Sequence, residues 1–295
     1  EIDQKSKEFD INPADVQRDY IFGWILSGIY SFSSLKDTLI LKGGNSLRKA
    51  YLPNARFSAD LDFTTESSID QSRLMNELNN VCKYIQEKTE IQFDFDRNGI
   101  VDEAIIKGLK KVFKIKLYFK DFYGKESILT ISVRIDVTEF DKIYLPTQKR
   151  LIIHPYSDLS ECQQEIVCIK LEEAMADKLK CLLQRRSSFD IFDLVHAVFI
   201  NNELAVDKRE IVTTFLKKTI FEPSPIAAKN LLLGLPLDIF KSFWEGHISC
   251  PKEIRLSFEK ATAIFKDGIN LLFQGFEYGS SDELAFYPSN LRNPI

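Results

Sequence analysis

Two aspartates at alternate positions are the residues of this sequence best suited to chemistry. They stand in the segment Asp60-Leu61-Asp62-Phe63, where polar and apolar residues alternate strictly. On a β-strand this pattern places both carboxylates on one face and both apolar side chains on the other. Two carboxylates held side by side repel each other, and the arrangement is costly unless a cation lies between them. The pair therefore predicts a site for Mg2+, which takes oxygen ligands from carboxylates and from substrate phosphates.

A glycine pair upstream of the aspartates predicts an anion-binding turn. The apolar run at residues 39–41 is typical of a strand, Gly43-Gly44 ends it, and a helix-capable segment begins at Ser46. Glycine lets a ligand approach the backbone closely, and the N–H groups of such a turn can face an anion. Either feature alone is more often an ordinary turn or a solvated strand edge. Together they favour metal-assisted phosphoryl or nucleotidyl transfer, with Gly44 and Ser46 holding the phosphates.

A third carboxylate lies on a later strand. Residues 128–140 alternate as a strand, and Asp136 falls on the face opposite its two apolar neighbours. An acid inside so apolar a segment is costly unless a charged partner meets it. That partner is either Arg134, in a structural ion pair, or a metal ion shared with the upstream aspartates. The upstream pair favours the second interpretation and makes Asp136 the third metal ligand.

Two further strand patterns carry charged faces. Residues 111–121 place four apolar side chains on one face, and the other face carries Lys114, Lys116, Tyr118 and Lys120. This second face is either a solubilising outer surface or a basic strip for a polynucleotide backbone, with an aromatic ring for stacking. Residues 91–96 alternate as another strand. Their two acids, Asp94 and Asp96, are most simply a solvated face before a turn.

We expect an α/β (α+β) fold with two domains. Residues 1–155 are rich in strand patterns and are expected to form a small mixed sheet that carries the metal site. Helical periodicity dominates afterwards, including one long helix over residues 165–185, so residues 156–295 are expected to form a helical C-terminal domain. The active site is expected in the cleft between the two. Phe286 and Tyr287, in the polar tail, are candidates to dock on the protein.

The composition is that of a globular protein and excludes several classes. Of the 295 residues 44% are hydrophobic, which is enough for a sizeable core, and the net charge of −4 gives no global basic field. Five cysteines at scattered spacings form no zinc or thioredoxin pattern and are simplest as reduced thiols. No apolar run approaches membrane length, and the charged first residues are unlike a signal peptide. We therefore expect a cytoplasmic protein without a membrane partner.

Four segments resemble a known enzyme family. K-G-G-N-S-L-R-K at residues 42–49 and R-F-S-A-D-L-D-F at residues 56–63 resemble the AbiEii/AbiGii-type toxin nucleotidyltransferases. These are toxin halves of bacterial abortive-infection toxin–antitoxin pairs, in the polymerase-β-like nucleotidyltransferase superfamily. Residues 171–179 resemble the helix that carries the family's functional lysine, and residues 189–194 resemble its R-D-x-Y-D-L segment. The likeness spans about residues 19–196.

The sequence also departs from the family's pattern. The spacing from Gly44 to Asp60 is longer than is usual in the superfamily, although this family tolerates an insert. Asn45 stands where threonine is commoner, and Ala59 stands where glutamate is commoner. Phe189 replaces the arginine that usually precedes the aspartate of the last segment.

The resemblance, joined to the residue patterns, implies a set of site residues. The expected catalytic residues are Asp60, Asp62, Asp136, Lys178 and Asp193, with Asp190 as a secondary candidate. The expected ligands of Mg2+ are Asp60, Asp62 and Asp136. The expected nucleotide-binding residues are Gly43, Gly44, Ser46, Arg48, Ser58 and Lys178, where Lys178 contacts phosphate and Arg185 and Arg186 could assist.

The implied reaction is attack of an acceptor hydroxyl on the α-phosphorus of a nucleoside triphosphate, with release of pyrophosphate. The family implies an RNA acceptor, with the 3′ end of tRNA as one candidate, and a cognate antitoxin protein. Two alternatives stay open. One is a small-molecule nucleotidyltransferase of the antibiotic-modifying kind, and the other is a non-catalytic module that binds nucleotide or a partner.

Overall fold

The computed structural model describes residues 1–106, 110–123 and 130–276. The tail that contains Phe286 and Tyr287 lies outside them. The strands of the described part are β1 (Ile40–Lys42), β2 (Asp60–Thr65), β3 (Gly99–Ile106), β4 (Lys110–Lys120), β5 (Thr130–Glu139), β6 (Gln148–Leu151) and β7 (Glu165–Cys168).

Helices surround these strands and make up most of the chain after β7. The α-helices are α1 (Ile2–Phe9), α2 (Pro13–Ser31), α3 (Gly43–Ser46), α4 (Gln71–Thr89), α5 (Leu159–Cys162), α6 (Leu171–Gln184), α7 (Ser188–Leu194), α8 (Lys208–Lys217), α9 (Pro225–Leu233), α10 (Asp238–Lys241), α11 (Trp244–His247) and α12 (Phe258–Leu272). Short 3₁₀ turns lie at Ser34–Asp37 and Lys252–Ile254, and wider π-helical turns extend α3 over Leu47–Tyr51 and α7 over Val195–Ile200. In the described part of the chain, none of the helices combines the length and apolar character that a bilayer crossing requires.

The strands form one mixed sheet in the order β3-β4-β5-β2-β1-β7-β6. The pairs β2–β5 and β1–β7 are parallel, and the other neighbours are antiparallel. Strand β2, with its two aspartates, therefore lies near the middle of the sheet between β5 and β1. The expected α/β fold with a mixed sheet is confirmed.

Alternation along β2, β4 and β5 divides the sheet into an apolar face and a polar face. The apolar face carries fully buried side chains: Leu61, Phe63, Phe113, Ile115, Leu117, Phe119, Ile135 and Val137. They belong to the main core, which also includes buried side chains of α2 and α4. Burying these side chains stabilises the fold, and it also fixes the strand register, because a slip of one residue would exchange the two faces.

The segment at residues 91–96 differs from its sequence pattern. It is not a strand: within it only Phe93 makes an isolated bridge, with Phe119. The N–H groups of Arg97 and Asn98 both donate to the carbonyl oxygen of Asp94, so the chain turns back at this point. The prediction of a strand here was therefore wrong, because the residues that would have extended the strand form a tight turn.

The sheet continues further along the chain than the sequence predicts. The helical periodicity of residues 165–185 predicts one helix, but Glu165–Cys168 forms β7 and the helix begins only at Leu171. Cys168 lies opposite Leu41 in the parallel pair of β7 with β1, and both side chains are buried. The expected boundary near residues 155–160 thus falls before a strand of the N-terminal sheet, and the division into two domains stays a prediction.

Candidate active site

Register brings the three predicted carboxylates onto one face of the sheet. In the parallel pair β2–β5, Asp62 lies directly opposite Asp136, and Asp60 lies opposite Arg134. On the other side of β2, Asp62 lies opposite Lys42 of β1. Residues in register point to the same face, and Asp60 and Asp62 are two residues apart on one strand. All three carboxylates line one cavity of about 470 Å3.

The electrostatics of this face are those of a site with excess negative charge. Burial, together with the neighbouring charges of Asp60 and Asp136, raises the pKa of Asp62 to about 6, although Lys42 opposes the shift. Burial and the charge of Asp60 also raise the pKa of Asp136. Arg134 approaches Asp60 rather than Asp136, with Nη2 3.9 Å from Oδ2, and its side chain is half exposed. A structural ion pair therefore does not neutralise Asp136.

The chemistry of the three side chains fits a divalent cation. They supply the hard carboxylate oxygens that Mg2+ prefers, and burial together with the neighbouring carboxylates raises the pKa of Asp62 and of Asp136, so a cation here would favour their charged forms. Within residues 1–106, 110–123 and 130–276, no group of three or more His, Cys, Asp or Glu side chains converges closely enough to hold a metal ion. The donors are thus on the correct face, and side-chain rotation would have to gather them around one point.

The glycine turn fits closely around the second aspartate. Gly43 has a φ of +71°, and a Cβ atom at this position would lie 2.0 Å from Oδ2 of Asp62. At Gly44 a Cβ would lie 2.7 Å from the hydroxyl oxygen of Ser58 and 3.0 Å from the guanidinium of Arg56. Both glycines line the cavity. Only glycine satisfies the left-handed backbone at residue 43 and leaves room for the aspartate.

Two of the predicted nucleotide-binding residues point elsewhere. The hydroxyl of Ser46 donates to the carbonyl oxygen of Gly43 at 2.8 Å and is buried. Arg48 is 2% exposed, and its Nε donates to Oδ1 of Asp19 at 2.7 Å while Nη1 donates to the carbonyl oxygen of Ala55 at 2.6 Å. Neither residue lines the cavity, because the donors of each are engaged inside the protein. Ser58 does line it, with its hydroxyl 3.2 Å from Oδ1 of Asp60.

Three cations form a second cluster in the same cavity. Lys178 of α6, Arg56 before β2, and Arg185 after α6 all line it. They are tied together by Asp193 and Asp190 of α7, which do not line it. Lys178 Nζ lies 2.8 Å from Asp193 and 3.0 Å from Asp190. Arg56 binds both oxygens of Asp193 at 2.8 and 2.9 Å, and Arg185 binds both oxygens of Asp190 at 3.0 Å.

Asp193 is therefore placed to orient the cations and not to contact a substrate. It is 3% exposed, and although burial alone would raise its pKa, Arg56 and Lys178 hold the pKa below its usual value. Burial likewise opposes the charge of Lys178, yet Asp193 and Asp190 raise the pKa of this lysine. The carboxylates thus favour the charged form of Lys178 inside the protein, which suits a cluster that binds phosphate.

Arg56 is the residue that sequence reasoning missed. It stands inside the quoted segment at residues 56–63, two positions before Ser58, and only its position in that block could have drawn attention to it. Its guanidinium is fixed on both sides, by the carboxylate of Asp193 and by the ring of Phe189, whose centroid is 4.5 Å away. Phe189 occupies the position where the family usually has arginine, and it lines the cavity.

The cavity thus joins carboxylates that can bind a metal ion to cations that can bind a polyphosphate. The family model for the nucleotidyl transferase AbiEii toxin of type IV toxin–antitoxin systems matches residues 24–249. MenT4, a nucleotidyltransferase toxin from Mycobacterium tuberculosis H37Rv, has a similar fold, with a TM-score of 0.57 and 18% sequence identity over 92% of this chain and 87% of that chain. Comparison with curated proteins gives no match. Because the family model spans well over half of its length, the chain belongs to the AbiEii family of nucleotidyltransferase toxins.

Proposed function

We propose that the protein transfers a nucleoside monophosphate from a nucleoside triphosphate to a hydroxyl group of RNA in an Mg2+-dependent reaction. The observation that carries the proposal is the meeting of Asp60, Asp62 and Asp136 with the cluster of Lys178 and Arg56 in one cavity. Its volume of about 470 Å3 is suitable for a nucleotide, since small-molecule sites usually measure ~300–1,000 Å3.

Each side chain has a role that follows from its position. Asp60, Asp62 and Asp136 would hold Mg2+, which as a Lewis acid offsets phosphate charge and favours ionisation of the attacking hydroxyl. Lys178 and Arg56 bind the triphosphate and screen the charge that builds up on it. The acceptor oxygen forms a bond to the α-phosphorus, the bond from that phosphorus to the bridging oxygen breaks, and pyrophosphate leaves. A carboxylate of the acidic set accepts the hydroxyl proton.

A basic strip supports RNA as the acceptor. In the antiparallel pair β4–β5, Lys114 lies opposite Asp136 and Lys116 lies opposite Arg134, so the lysines are on the same face as the acids. The strip continues along β4 through Tyr118, which has the guanidinium of Arg97 4.1 Å from its ring centre, to the exposed Lys120. Lysines beside an aromatic ring match the backbone charge and the bases of single-stranded RNA.

The strip is only partly neutralised. Nζ of Lys114 lies 2.6 Å from Asp102 of β3, and this pair is half exposed. Lys116 and Lys120 have no ion pair of 4.0 Å or less with a described residue. Positive charge therefore starts beside Asp136 and extends along β4, which suits a polymer better than a compact antibiotic.

One experiment tests the acceptor class. Purified protein is incubated with Mg2+, each α-labelled nucleoside triphosphate, and either total RNA or a panel of aminoglycosides and lincosamides. We expect label in RNA and none in the antibiotics. Label confined to a small molecule would overturn the RNA acceptor and leave a small-molecule nucleotidyltransferase, whereas label in neither would favour a non-catalytic module.

Matched variants of β4 test the strip itself. Changing Lys116 and Lys120 together to Gln should lower RNA labelling by about tenfold and make RNA binding less dependent on salt. Each lost phosphate contact weakens both the binding and its salt dependence. Lys111→Gln is the control, since Lys111 is exposed on the opposite face of the same strand. Equal effects of the two changes would contradict a role for this face.

We also propose that transfer is the basis of toxicity and that the toxin acts in the cytoplasm, in abortive infection by phage, under restraint by a cognate antitoxin protein. Membership of a type IV toxin–antitoxin family supports such a partner. Expression of the wild-type chain without antitoxin should arrest growth, and Asp60→Ala or Asp62→Ala should relieve the arrest. Growth inhibition that survived either change would contradict the enzymatic account of toxicity.

A further inference from the structure

The cavity extends beyond the carboxylates and cations that the proposed transfer uses. This remaining end is lined by Asp15, Ser187, Phe189, His247 and Ser249. They come from the first turn of α2, from the start of α7 and the residue before it, from the end of α11 and from the segment after it. The hydroxyl of Ser249 donates to Oδ2 of Asp15 at 2.9 Å, which ties this segment to α2. The acids and cations account for the triphosphate, and the ribose and the base of the nucleotide still require a place in the cavity.

Phe189 is an aromatic ring held firmly at this end. Its ring lies against the guanidinium of Arg56 at 4.5 Å, and Asp193 fixes that guanidinium with two hydrogen bonds. Phe189 is half buried, so part of the ring faces the cavity. Phe57 also lines the cavity but is 5% exposed, and its ring is covered by the guanidinium of Arg48 at 3.6 Å. Of these two phenylalanines, Phe189 is the one available to a ligand.

The end of the cavity around Phe189 differs in chemistry from the rest. His247 is exposed and offers ring nitrogens, and Ser187 and Ser249 offer hydroxyl groups. A nucleobase is flat and uncharged, with hydrogen-bonding groups on its edge, so it requires an aromatic surface and a few polar partners. A second cavity of about 660 Å3 shares His247, Ser249 and Asp15 with the first, so further space adjoins these three residues.

We infer that Phe189 is the stacking surface for the base of the nucleoside triphosphate, with His247 and Ser249 beside the base edge. The inference rests on the proposed function, because it assumes that the triphosphate lies on Lys178 and Arg56. The two side chains then have separate tasks. The guanidinium of Arg56 binds phosphate, and the ring of Phe189, which packs on it, binds the base.

Equilibrium binding to two ligands tests the inference. Nucleoside triphosphate and inorganic tripolyphosphate, each with Mg2+, are titrated against the wild type, Phe189→Leu and Phe189→Tyr. Leucine keeps most of the packing on Arg56 but removes the aromatic face. We expect Phe189→Leu to weaken nucleotide binding by about tenfold and to leave tripolyphosphate binding unchanged, and Phe189→Tyr to retain both, because a base stacked on an aromatic ring contributes at least this much.

The control distinguishes stacking from support of the arginine. Lys178→Met should weaken both ligands alike, because it removes a phosphate contact. If Phe189→Leu also weakened both ligands equally, Phe189 would act only by holding Arg56, and the inference would be overturned. Thermal unfolding of each variant establishes that it is folded at the assay temperature.

Binding also separates failure of this inference from failure of the proposed function. A wild type that binds nucleotide no more tightly than tripolyphosphate has no base site, even if it transfers label to RNA. Conversely, the expected difference between the ligands in a protein that labels no acceptor would support the base site and contradict the transfer reaction. Absence of binding to either ligand would overturn both.

Discussion

Asp62 and Asp136 lie side by side in register on two parallel strands, and both carboxylates face the same cavity. Burial and the nearby acids raise the pKa of each group, so the charged forms destabilise the fold when no cation is present. The arrangement is one that stability alone would not favour. It is understandable when the site must bind metal and phosphate, since functional sites often carry such strain.

The first prediction concerns how much the Asp62 carboxylate destabilises the fold. Its pKa is raised to about 6, so the cost of the carboxylate is absent below its ordinary value of 3.8 and complete above pH 6. At pH 7 and without divalent ions, Asp62→Asn should therefore raise the free energy of unfolding by about 3 kcal/mol. The same change should abolish nucleotidyl transfer. Urea unfolding in EDTA measures the first effect, and a lower stability of the variant would contradict this account of the site.

The second prediction concerns Asp193, which should behave in the opposite way. Asp193→Asn leaves Arg56 and Lys178 buried without their shared carboxylate, which should cost about 3–5 kcal/mol of stability. Because Asp193 acts through these cations, tripolyphosphate affinity should fall with it. The losses from Asp193→Asn and Arg56→Met should not add when the two are combined. Additive losses would show that Asp193 has a separate role.

The third prediction compares two glycines. Gly43→Ala should reduce transfer by at least about a hundredfold, because a Cβ there would lie 2.0 Å from the Asp62 carboxylate and the backbone φ of +71° is strained for alanine. Gly99→Ala is the control, since a Cβ at Gly99 meets nothing within 4 Å. Initial rates at saturating nucleotide separate the two variants. Normal activity of Gly43→Ala would mean that Asp62 does not need its observed position.

The fourth prediction concerns pH and a histidine far from the chemistry. His154 is 1% exposed, with Nε2 3.0 Å from Oδ1 of Asp158, and burial lowers its pKa from 6.5 to about 4. The unfolded chain therefore binds more protons between these values, so stability falls as pH falls below 6.5. From pH 7 to pH 5 this group should cost about 2 kcal/mol.

The His154→Gln variant isolates that contribution. Urea unfolding of the wild type and the variant at several pH values gives two slopes, and the wild-type slope should be the steeper below pH 6.5. The comparison uses the slopes, so an overall loss of stability in the variant does not affect it. Parallel slopes would show that His154 binds protons equally in the folded and unfolded states, which would contradict the lowered pKa.

The acidic face formed by Asp60, Asp62 and Asp136 was predictable because its signal is local. Strict alternation around Asp60 and Asp62 determines which face they share, and the apolar neighbours of Asp136 determine its face in the same way. Neither segment by itself predicts that β2 pairs with β5. The pairing results from burial of both apolar faces in one core, and the acids then meet as a consequence.

The partners of the two arginines were not predictable from local sequence patterns. Arg48 and Arg56 both stand in segments that resemble the family, yet Arg48 is paired with Asp19 of α2 and Arg56 with Asp193 of α7. Their partners are 29 and 137 residues away along the chain, and no local pattern indicates such pairings. Asp19 itself is buried, in an ion pair with Arg48.

The most direct test of the central claim follows the α- and γ-phosphates of the nucleoside triphosphate separately. Nucleoside triphosphate labelled at either the α- or the γ-phosphorus is incubated with Mg2+, total RNA and either the wild type or Asp60→Asn. The Asp60 side chain is partly exposed, so we expect the fold to tolerate this change. The account predicts that only the wild type moves the α-label into RNA, while the γ-label leaves in pyrophosphate. Label from the γ-position in RNA, or undiminished transfer by Asp60→Asn, would contradict it.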